Sequence, residues 1–289
     1  MTTEPIDDAA TLPQFDLNEF VRRVLAEDMG SGGDVTSRAT IAPDARFTAT
    51  MNCREPIAVA GLDIAIAFFK ALDREVRITK QVDDGDRVAA GTILLTLVGN
   101  ARAMLAAERS ALNTLQHLSG VATLTRTYVD AIEGSGAILL DTRKTIPGLR
   151  LLEKYAARMG GAENHRMRMD DGLLIKDNHV GVAGSVEAAT RAAVAASTGL
   201  QVQVEVDRIE QIEPALSAGA QRLLLDNMTN DELRAAVTLV AGRVPLEASG
   251  GVRLDTIGGI AQTGVDYISV GRITQSAPAV DIGLDYVLA

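Results

Sequence analysis

The chain of 289 residues contains no tryptophan, four tyrosines and five phenylalanines, so we expect no aromatic stacking platform for single-stranded nucleic acid. Its 28 lysines and arginines are outnumbered by 38 acidic residues, and a net charge of −10 does not suit a general binder of nucleic-acid backbones. Cys53 is the only cysteine, which excludes a disulfide framework within the chain and a cysteine-based zinc site.

Long apolar runs are also missing. No segment reaches the length of a membrane span, and the N-terminal segment is acidic, with neither the basic nor the apolar region of a signal peptide. We therefore predict a cytoplasmic protein that binds no membrane, with residues 1–14 as a mobile tail. What the chain does have is a hydrophobic fraction of 47%, which predicts a large core, and enough length for two domains.

The second half of the chain alternates short apolar runs with alanine-rich stretches of helical character. The predicted strands are 137–142, 173–177, 202–207, 222–227, 245–249 and 267–271. The predicted helices between the later strands are 185–198, 208–218, 230–241 and 253–263. From residue 202 onward the strands begin 20, 23 and 22 residues apart, the size of one βα unit. Because six strands fall short of eight, we predict an incomplete α/β barrel of six or seven strands over 134–275.

The first half follows a different pattern. Strands joined by turns are predicted in 46–60 and 74–98, and a helix at 61–72 lies between them. Two helices are predicted to follow, at 101–118 and 120–133. Residues 15–133 are therefore predicted to form an α+β sandwich domain with connecting helices, onto which the C-terminal segment 276–289 packs back.

The predicted barrel strands end in polar residues. These are Asp141, Thr142, Lys176, Asp177, Glu205, Asp207, Asp226, Asn227, Glu247 and Ser249, and the last strand ends at Gly271. Catalytic residues of α/β barrels lie at the carboxyl ends of the strands. Turn chemistry explains one or two such endings, but it explains poorly a lysine and a glutamate within apolar runs. The pattern predicts one shared site.

The connection after the first barrel strand concentrates positive charge. Between 143 and 168 there are seven cations and two acids, a net charge of +5. The cations are Arg143, Lys144, Arg150, Lys154, Arg158, Arg166 and Arg168. Arg150, Lys154 and Arg158 have helical spacing and are explained by a solvated helix face. Arg143, Lys144, His165 and Arg166 flank that helix and predict a site for a polyanionic small ligand.

Glycine clusters follow the last two strands, at 248–252 and 269–272. Glycine lets an anion approach backbone N–H groups, and phosphate sites are frequent after the last strands of α/β barrels. Glu205 and Asp226 end neighbouring strands and would repel each other unless a divalent cation lay between them. The pattern predicts an enzyme that binds Mg²⁺ through these two acids and acts on a phosphorylated substrate.

Several motifs resemble those of the quinolinate phosphoribosyltransferase family. Its members are type II phosphoribosyltransferases and are also called nicotinate-nucleotide pyrophosphorylases (carboxylating). The motifs, which extend from about residue 16 to 286, are LAEDMGSGGDVTS, ERSALNTLQHLSGVAT, DTRKTIPGLRLLEKYAARMGGAENHR, LLIKDNH, VQVEVD, LLLDNM, LEASGGV and GVDYISVGRITQSAPAVDIGLD. The resemblance implies a sandwich domain and an open barrel. It also implies transfer of phosphoribosyl from phosphoribosyl pyrophosphate to quinolinate, yielding nicotinate mononucleotide, pyrophosphate and CO₂ in NAD biosynthesis.

The resemblance also implies roles for single residues. Lys144, Lys176, Glu205 and Asp226 are expected to be catalytic, the two acids also facing the ribose and Mg²⁺. The expected substrate-binding residues add Arg109, Thr142, Arg143, His165, Arg166, Ser249, Gly250, Gly251, Val270, Gly271 and Arg272. Arg109 is expected to reach the neighbouring active site of a homodimer or a higher homo-oligomer.

Three positions depart from the family pattern. Family members commonly have a small residue at Arg272, histidine at Gln275 and glycine at Arg168, which leaves details of phosphate binding open. Three alternatives also remain: a ModD-like paralogue associated with molybdenum transport, a Schiff-base aldolase that uses Lys176, and an anion-binding module without turnover.

Overall fold

The computed structural model describes residues 15–196 and 198–287, so the predicted mobile tail at 1–14 lies outside the described residues. The helices and strands, in chain order, are α1 (Leu17–Met29), α2 (Val35–Thr40), β1 (Arg46–Cys53), β2 (Ile57–Ala58), α3 (Leu62–Leu72), β3 (Arg77–Lys80), β4 (Arg87–Val88), β5 (Ile93–Asn100), α4 (Ala101–Ala131), β6 (Ile138–Leu140), α5 (Arg150–Met159), β7 (Leu173–Ile175), α6 (Asp177–Ala183), α7 (Val186–Ala195), β8 (Val202–Val206), α8 (Ile212–Ser217), β9 (Arg222–Asp226), α9 (Asn230–Val240), β10 (Leu246–Ser249), α10 (Leu254–Ala261), β11 (Tyr267–Ser269), α11 (Arg272–Gln275) and β12 (Ile282–Val287). Within the described ranges, every helix is too short or too polar to cross a lipid bilayer.

The described chain divides into two compact units. The first contains residues 15–124, 151–160 and 277–287, and the second contains 125–150, 161–196 and 198–276. Helix α4 contributes residues to both units. Residues 151–160 lie in the connection that follows β6 and include most of α5. They belong to the first unit.

The second unit is built on a parallel sheet of six strands in the order β6-β11-β10-β9-β8-β7. Strands β7 to β11 are neighbours in chain order, and β6 pairs with β11, the last of the six. This is the strand order of an α/β barrel that is open between its first and second strands. The sheet confirms the predicted incomplete barrel and all six predicted strands.

The open side of this barrel is occupied in part by the returning chain. Glu163 forms a parallel bridge with Leu140 of β6. The Glu163 amide donates to the Leu139 carbonyl at 2.9 Å, and the Asp141 amide donates to the Glu163 carbonyl at 3.2 Å. A short non-strand segment therefore satisfies backbone groups on the edge of β6 that β11 does not cover.

The barrel strands are apolar along most of their length. Val202, Val204 and Val206 on one face of β8 are 4%, 0% and 1% exposed, and Gln203 on the other face is 6% exposed, as expected for a parallel sheet that is covered on both faces. Helices α7 to α10 fall within the predicted ranges, and the first turn of the range 208–218 is a 3₁₀ helix at Ile209–Gln211. The short helices α6 and α11 follow strand ends directly and were not predicted.

The first unit contains an antiparallel sheet in the order β12-β1-β5-β3 and a separate β2-β4 pair. Alternate residues of β1, Ala49, Met51 and Cys53, are fully buried, which is the period-two pattern of a sheet with one covered face. The C-terminal strand β12 pairs antiparallel with β1. Helices and antiparallel strands together confirm the predicted α+β class of this region and the predicted helix at 61–72, which is α3.

The prediction of two helices at 101–118 and 120–133 is wrong, because α4 is a single helix of 31 residues. The small residues at the predicted break serve close packing. The Ser119 hydroxyl accepts a hydrogen bond from the Ala60 amide at 3.1 Å. At Gly120, a Cβ atom would lie 2.1 Å from the Pro278 carbonyl oxygen. Both residues continue the helix and leave space for neighbouring backbone.

Candidate active site

The carboxyl ends of β7, β8 and β9 carry a lysine and two acids. Because these strands are parallel neighbours, their carboxyl ends meet at one edge of the sheet. Lys176 follows β7, and its Nζ atom lies 3.0 Å from Oε2 of Glu205 in β8. Its side chain is 46% exposed, whereas that of Glu205 is 11% exposed. The ammonium group is therefore held at the site and still reachable from solvent.

Asp226 ends β9 and shares the electrostatic field of this pair. Burial raises the pKa of the Asp226 carboxyl, and the charge of Glu205 raises it further. A hydrogen bond from the side-chain amide of Asn227 and the charges of Lys176 and Lys144 oppose that rise in pKa. The other three predicted catalytic residues thus lie within electrostatic reach of Asp226, and the two carboxylates favour additional positive charge at the site.

A cleft of about 440 Å³ lies at the ends of β10 and β11. The residues that line it are Thr142, Lys144, Ser249, Gly250, Gly251, Val252, Arg253, Ser269, Val270, Gly271, Arg272, Gln275 and Ser276. Within the described chain, the charged members of this set are all cations. The predicted phosphate-site residues Ser249–Gly251 and Val270–Arg272 are all among them, so the structure brings both glycine clusters to one cleft.

Two glycines in the cleft permit contacts that a larger residue would block. Gly250 has a φ of +89°, and a Cβ atom there would lie 2.3 Å from Asn227 Oδ1. At Gly271, a Cβ atom would lie 2.7 Å from Lys144 Cδ. Backbone amides at such positions are accessible to an anion, as in phosphate-binding loops.

The backbone of Lys144 is fixed at the rim of this cleft. Thr142 Oγ1 accepts a hydrogen bond from the Lys144 amide at 3.0 Å, and the Thr274 hydroxyl donates to the Lys144 carbonyl at 2.7 Å. Lys144 is exposed, while its backbone amide and carbonyl are both held by hydrogen bonds.

Arg143 and Arg166 form a second concentration of positive charge in the same unit. Burial lowers the pKa of the Arg166 guanidinium, and the charge of Arg143 lowers it further, against a smaller opposing effect of Asp171. Arg166 Nη1 donates to the Gly172 carbonyl at 3.1 Å. The buried Nε atom of Arg143 has no hydrogen-bond partner within the described residues. Two mutually repelling guanidinium groups with an unpartnered donor are suited to a carboxylate or phosphate ligand.

His165 precedes Arg166 in a segment that buried groups hold in place. Its amide donates to Asp141 Oδ1 at 2.9 Å, and Asn164 Nδ2 donates to Asp141 Oδ2 at 2.5 Å. Asp141 is fully buried, so it fixes this segment instead of facing the mouth of the barrel.

Glu247 also corrects the prediction from strand ends. It is the second residue of β10, and it is fully buried. Burial opposes ionisation of the Glu247 carboxyl. The hydrogen bond from His165 and the charge of Arg222 outweigh that effect and hold the pKa of Glu247 below its usual value. Arg222 Nη2 lies 2.8 Å from Glu247 Oε2, and its guanidinium carbon lies 4.0 Å from the Tyr267 ring centroid.

The interpretation of Arg150, Lys154 and Arg158 as a solvated helix face is wrong for Lys154. Lys154 and Glu153 are both fully buried in α5. Glu153 Oε1 lies 2.9 Å from His117 Nε2, a contact that gives His117 a structural role between α4 and α5. The leucines and alanines on both sides of this pair in α5 were the available signal that this part of the helix is covered.

Of the remaining positions named from the sequence, Arg109 and Arg168 lie outside these groups and Gln275 lies within one of them. Arg109 is exposed on α4 in the first unit, and its role at a neighbouring site stays a prediction. Arg168 is exposed and pairs with Asp170 at 2.9 Å. Gln275 lines the cleft. His179 Nδ1 accepts a hydrogen bond from the Lys176 amide at 2.9 Å, which caps the start of α6.

Comparisons with known proteins give a consistent result. The family profile described as "Quinolinate phosphoribosyl transferase, C-terminal domain" matches residues 121–285, and the corresponding N-terminal domain profile matches residues 34–119. The chain is 44% identical to the nicotinate-nucleotide pyrophosphorylase (carboxylating) of Mycobacterium leprae (strain TN), over 92% of this chain and 96% of the relative.

Two further relatives agree. The mitochondrial quinolinate phosphoribosyltransferase (decarboxylating) 2b of Nicotiana tabacum is 40% identical, over 94% of this chain and 82% of the relative. The structure of the nicotinate-nucleotide pyrophosphorylase from Francisella tularensis superposes with a TM-score of 0.91 and 39% identity, covering 99% of this chain and 100% of the other. These matches support the predicted enzyme class over the aldolase and the anion-binding module.

Proposed function

Because the chain belongs to the quinolinate phosphoribosyltransferase family, we propose that it transfers phosphoribosyl from phosphoribosyl pyrophosphate to quinolinate and releases pyrophosphate and CO₂. The observation that carries this proposal is the pair of cationic regions in the barrel unit. One is the glycine-rich cleft with Lys144 and Arg272, and the other contains Arg143 and Arg166. Two regions for anions suit a reaction between two anionic substrates.

Arg143, Arg166 and His165 are assigned to quinolinate. A pyridine dicarboxylate presents two planar anions, which guanidinium groups bind in a bidentate manner. The unpartnered Nε of Arg143 is the donor that such a ligand would satisfy. The assignment predicts that these side chains orient the ring so that its nitrogen faces the ribose carbon C1.

The glycine-rich cleft is assigned to the phosphates of phosphoribosyl pyrophosphate. The accessible backbone at Gly250 and Gly271 supplies hydrogen-bond donors, and Lys144 supplies a mobile charge. Lys176, which is held by Glu205, is assigned to the negative charge that develops on the leaving pyrophosphate. Positioning and charge neutralisation are what this reaction requires of the protein.

The bond changes need no nucleophile from the protein. The pyridine nitrogen forms a bond to ribose C1 as the bond between C1 and the pyrophosphate oxygen breaks. The alkylated ring is then a cation that accepts the electron pair released when the bond to the adjacent carboxylate carbon breaks. A proton from solvent replaces the lost CO₂ on the ring carbon.

Mg²⁺ is part of the proposal, and the residues fit it. Within the described chain no group of three or more histidine, cysteine, aspartate or glutamate side chains is placed to hold a metal. Mg²⁺ is often bound by one or two carboxylates together with substrate phosphates. Glu205 and Asp226, whose charges repel, are the two carboxylates assigned. When bound, the ion would neutralise charge on pyrophosphate.

A cytoplasmic homodimer completes the proposal. Leu105, which is 38% exposed, and Arg109 lie one turn apart on α4 and are both exposed, which supports a contact between two copies on this part of the helix. The single cysteine is buried and needs no oxidising compartment. Sedimentation analysis of Arg109→Ala and the wild type, together with their turnover, tests the assembly.

The function is tested by incubating the protein with quinolinate, phosphoribosyl pyrophosphate and Mg²⁺ and measuring nicotinate mononucleotide and CO₂. Formation of both products in equal amounts supports the proposal. Nicotinate serves as the control acceptor, because it lacks the carboxylate that is lost. Turnover of nicotinate without turnover of quinolinate would contradict the assignment.

A further inference from the structure

A charged group lies buried beneath the predicted quinolinate pocket, on the same strands that carry the catalytic residues. Side chains two residues apart on a strand share a face. Gln203 therefore lies on the face of Glu205, and Glu247 on the face of Ser249, one step closer to the amino ends of the strands. Glu247 is fully buried, with a relative exposure of 0%.

The contacts of Glu247 link it to the pocket above. Its Oε2 atom lies 2.8 Å from Gln203 Nε2, 2.8 Å from Arg222 Nη2 and 3.4 Å from His165 Nε2. Gln203 and Arg222 thus hold the carboxylate from the sheet, and His165 is its contact on the side of the pocket.

The other ring nitrogen of His165 is also engaged. His165 Nδ1 accepts a hydrogen bond from the backbone amide of Arg166 at 2.7 Å. An acceptor nitrogen carries no proton, so the neutral ring bears its proton on Nε2, which faces the Glu247 carboxylate. The imidazole is fixed at both ends, and the amide of Arg166 is fixed with it.

We propose that Glu247 is a positioning residue for quinolinate binding, acting through His165 to fix the ring and the start of the Arg166 side chain. Glu247 touches no reacting atom in this scheme. Its carboxylate selects the Nε2–H tautomer of His165, as second partners of functional histidines commonly do. The identity of the ligand rests on the proposed function. The effect of Glu247 on the tautomer of His165 does not depend on it.

The kinetic test compares Glu247→Gln with the wild type. Glutamine keeps the shape and removes the charge. We expect the KM for quinolinate to rise at least about tenfold, while the KM for phosphoribosyl pyrophosphate and kcat change less than about twofold. Because loss of a buried charge also lowers stability, the two KM values decide the question: a purely structural role would move both of them together. An unchanged quinolinate KM, or an equal rise in both KM values, would overturn the inference.

A double-mutant cycle shows whether the effect passes through His165. In a His165→Ala background, Glu247→Gln is expected to change the quinolinate KM less than about twofold further. A second full effect in that background would place Glu247 on a different route and contradict the proposal. If Glu247→Gln fails to fold, Glu247→Asp retains the charge opposite Arg222 but withdraws it from His165, and the same expectations apply.

A spectroscopic test needs no turnover and so separates this inference from the proposed function. The chain has three histidines, and ¹H–¹⁵N spectra of the imidazoles can be assigned with His117→Gln and His179→Gln variants. We expect the proton of the His165 imidazole to reside on Nε2 in the wild type, and the ring to become a mixture of tautomers in Glu247→Gln. An Nδ1-protonated His165 in the wild type, or an unchanged spectrum in the variant, would refute the proposal.

Discussion

The barrel unit presents two polar layers on the same strands, and they differ in depth. The upper layer, defined as Lys176, Glu205 and Asp226, lies at the carboxyl ends, where Lys176 is 46% exposed. The lower layer, defined as Gln203, Arg222 and Glu247, lies toward the amino ends, where Glu247 is fully buried. Both layers contain an ion pair, at 3.0 Å above and 2.8 Å below.

The difference shows that an ion pair has a different role at each depth. In the upper layer, water and ligands can replace a lost partner, so the pair contributes little to stability and its charges remain available for chemistry. In the lower layer nothing can replace a lost partner, so the pair fixes geometry at the risk of a large desolvation cost. Loss of a lower-layer charge should act first on stability, and loss of an upper-layer charge on turnover.

The largest expected effect is on stability, from Arg222→Met. Removal of the guanidinium leaves the buried Glu247 carboxylate without its cation, and we expect the free energy of unfolding to fall by about 3–5 kcal/mol. Urea denaturation followed by circular dichroism measures this change. A loss below about 1 kcal/mol would show that the lower layer does not depend on its charges.

The matched control is the double variant Arg222→Met, Glu247→Leu, in which both charges are absent. Most of the lost stability should return, because a buried pair replaced by apolar residues is often neutral. Quinolinate binding should remain weak, because His165 still lacks its carboxylate. Recovery of both properties would break the distinction between support of the fold and support of the pocket.

The second prediction concerns Lys176→Met in the upper layer. Loss of a charge that faces the developing negative charge should lower kcat by about 10²–10³-fold. The free energy of unfolding should change by less than about 1 kcal/mol, because the pair with Glu205 is partly exposed. Steady-state kinetics and urea denaturation on the same preparation provide both numbers. A kcat within about tenfold of the wild type would remove Lys176 from the catalytic set.

The third prediction concerns Arg166→Ala in the predicted quinolinate pocket. Loss of a charged hydrogen-bond donor should weaken quinolinate binding by about 1.5–3 kcal/mol, as measured by calorimetric titration. Arg168→Ala is the control, since that arginine is exposed and paired with Asp170. Its quinolinate affinity should stay within about twofold of the wild type. Equal effects of the two substitutions would mean that net charge, not position, controls binding.

The fourth and smallest effect is a pH dependence of stability from Asp226. Burial and then the Glu205 charge raise the pKa of Asp226 above its usual 3.8, so the folded chain keeps a proton that the unfolded chain has released. This contribution lowers stability as pH rises from 3.8 through the raised pKa. Asp226→Asn lacks it and should be more stable than the wild type at pH 7, though less active, with little difference below pH 3.8.

The pH dependence of the free energy of unfolding is measured by urea denaturation at a series of pH values. Glu213 provides a control of opposite sign. The hydrogen bond from Arg243 lowers the pKa of Glu213, so its contribution is present above the usual carboxyl pKa and is lost as pH falls. Glu213→Gln should therefore remove stability at pH 7. Parallel pH curves for the two variants would show that the charge of Asp226 is not opposed by its surroundings.

The barrel was predictable because its signal is repeated. Each apolar run of about five residues is followed by a helical stretch, and the spacing near 22 residues requires a parallel sheet. The single helix α4 was not predictable in the same way. Whether Ser119 and Gly120 end a helix or pack against a neighbour depends on the backbone of Ala60 and Pro278, which are distant in sequence.

The site was predictable in its chemistry and less so in its depth. The sequence pattern predicted that Lys176, Glu205 and the glycine clusters lie at strand ends, and the structure has them there. Asp141 and Glu247 have the same sequence appearance but are buried supports, because the exact residue at which a strand leaves the core is set by its neighbours. Lys154 was assigned to solvent for the same reason: helical spacing describes a face without saying what covers it.

The opening between β6 and β7 has a consequence for how the choice of acceptor acid can change among such enzymes. Glu163 of the returning chain completes the edge of β6, and His165 and Arg166 follow it within three residues. The residues assigned to hold the acceptor acid are thus carried by a segment that belongs to no strand pairing of its own. Substitution of His165 or Arg166 would leave the pairing of the six strands unchanged, because neither residue belongs to a strand, so we expect the acceptor preference to be able to change while the glycine-rich cleft after β10 and β11 is kept.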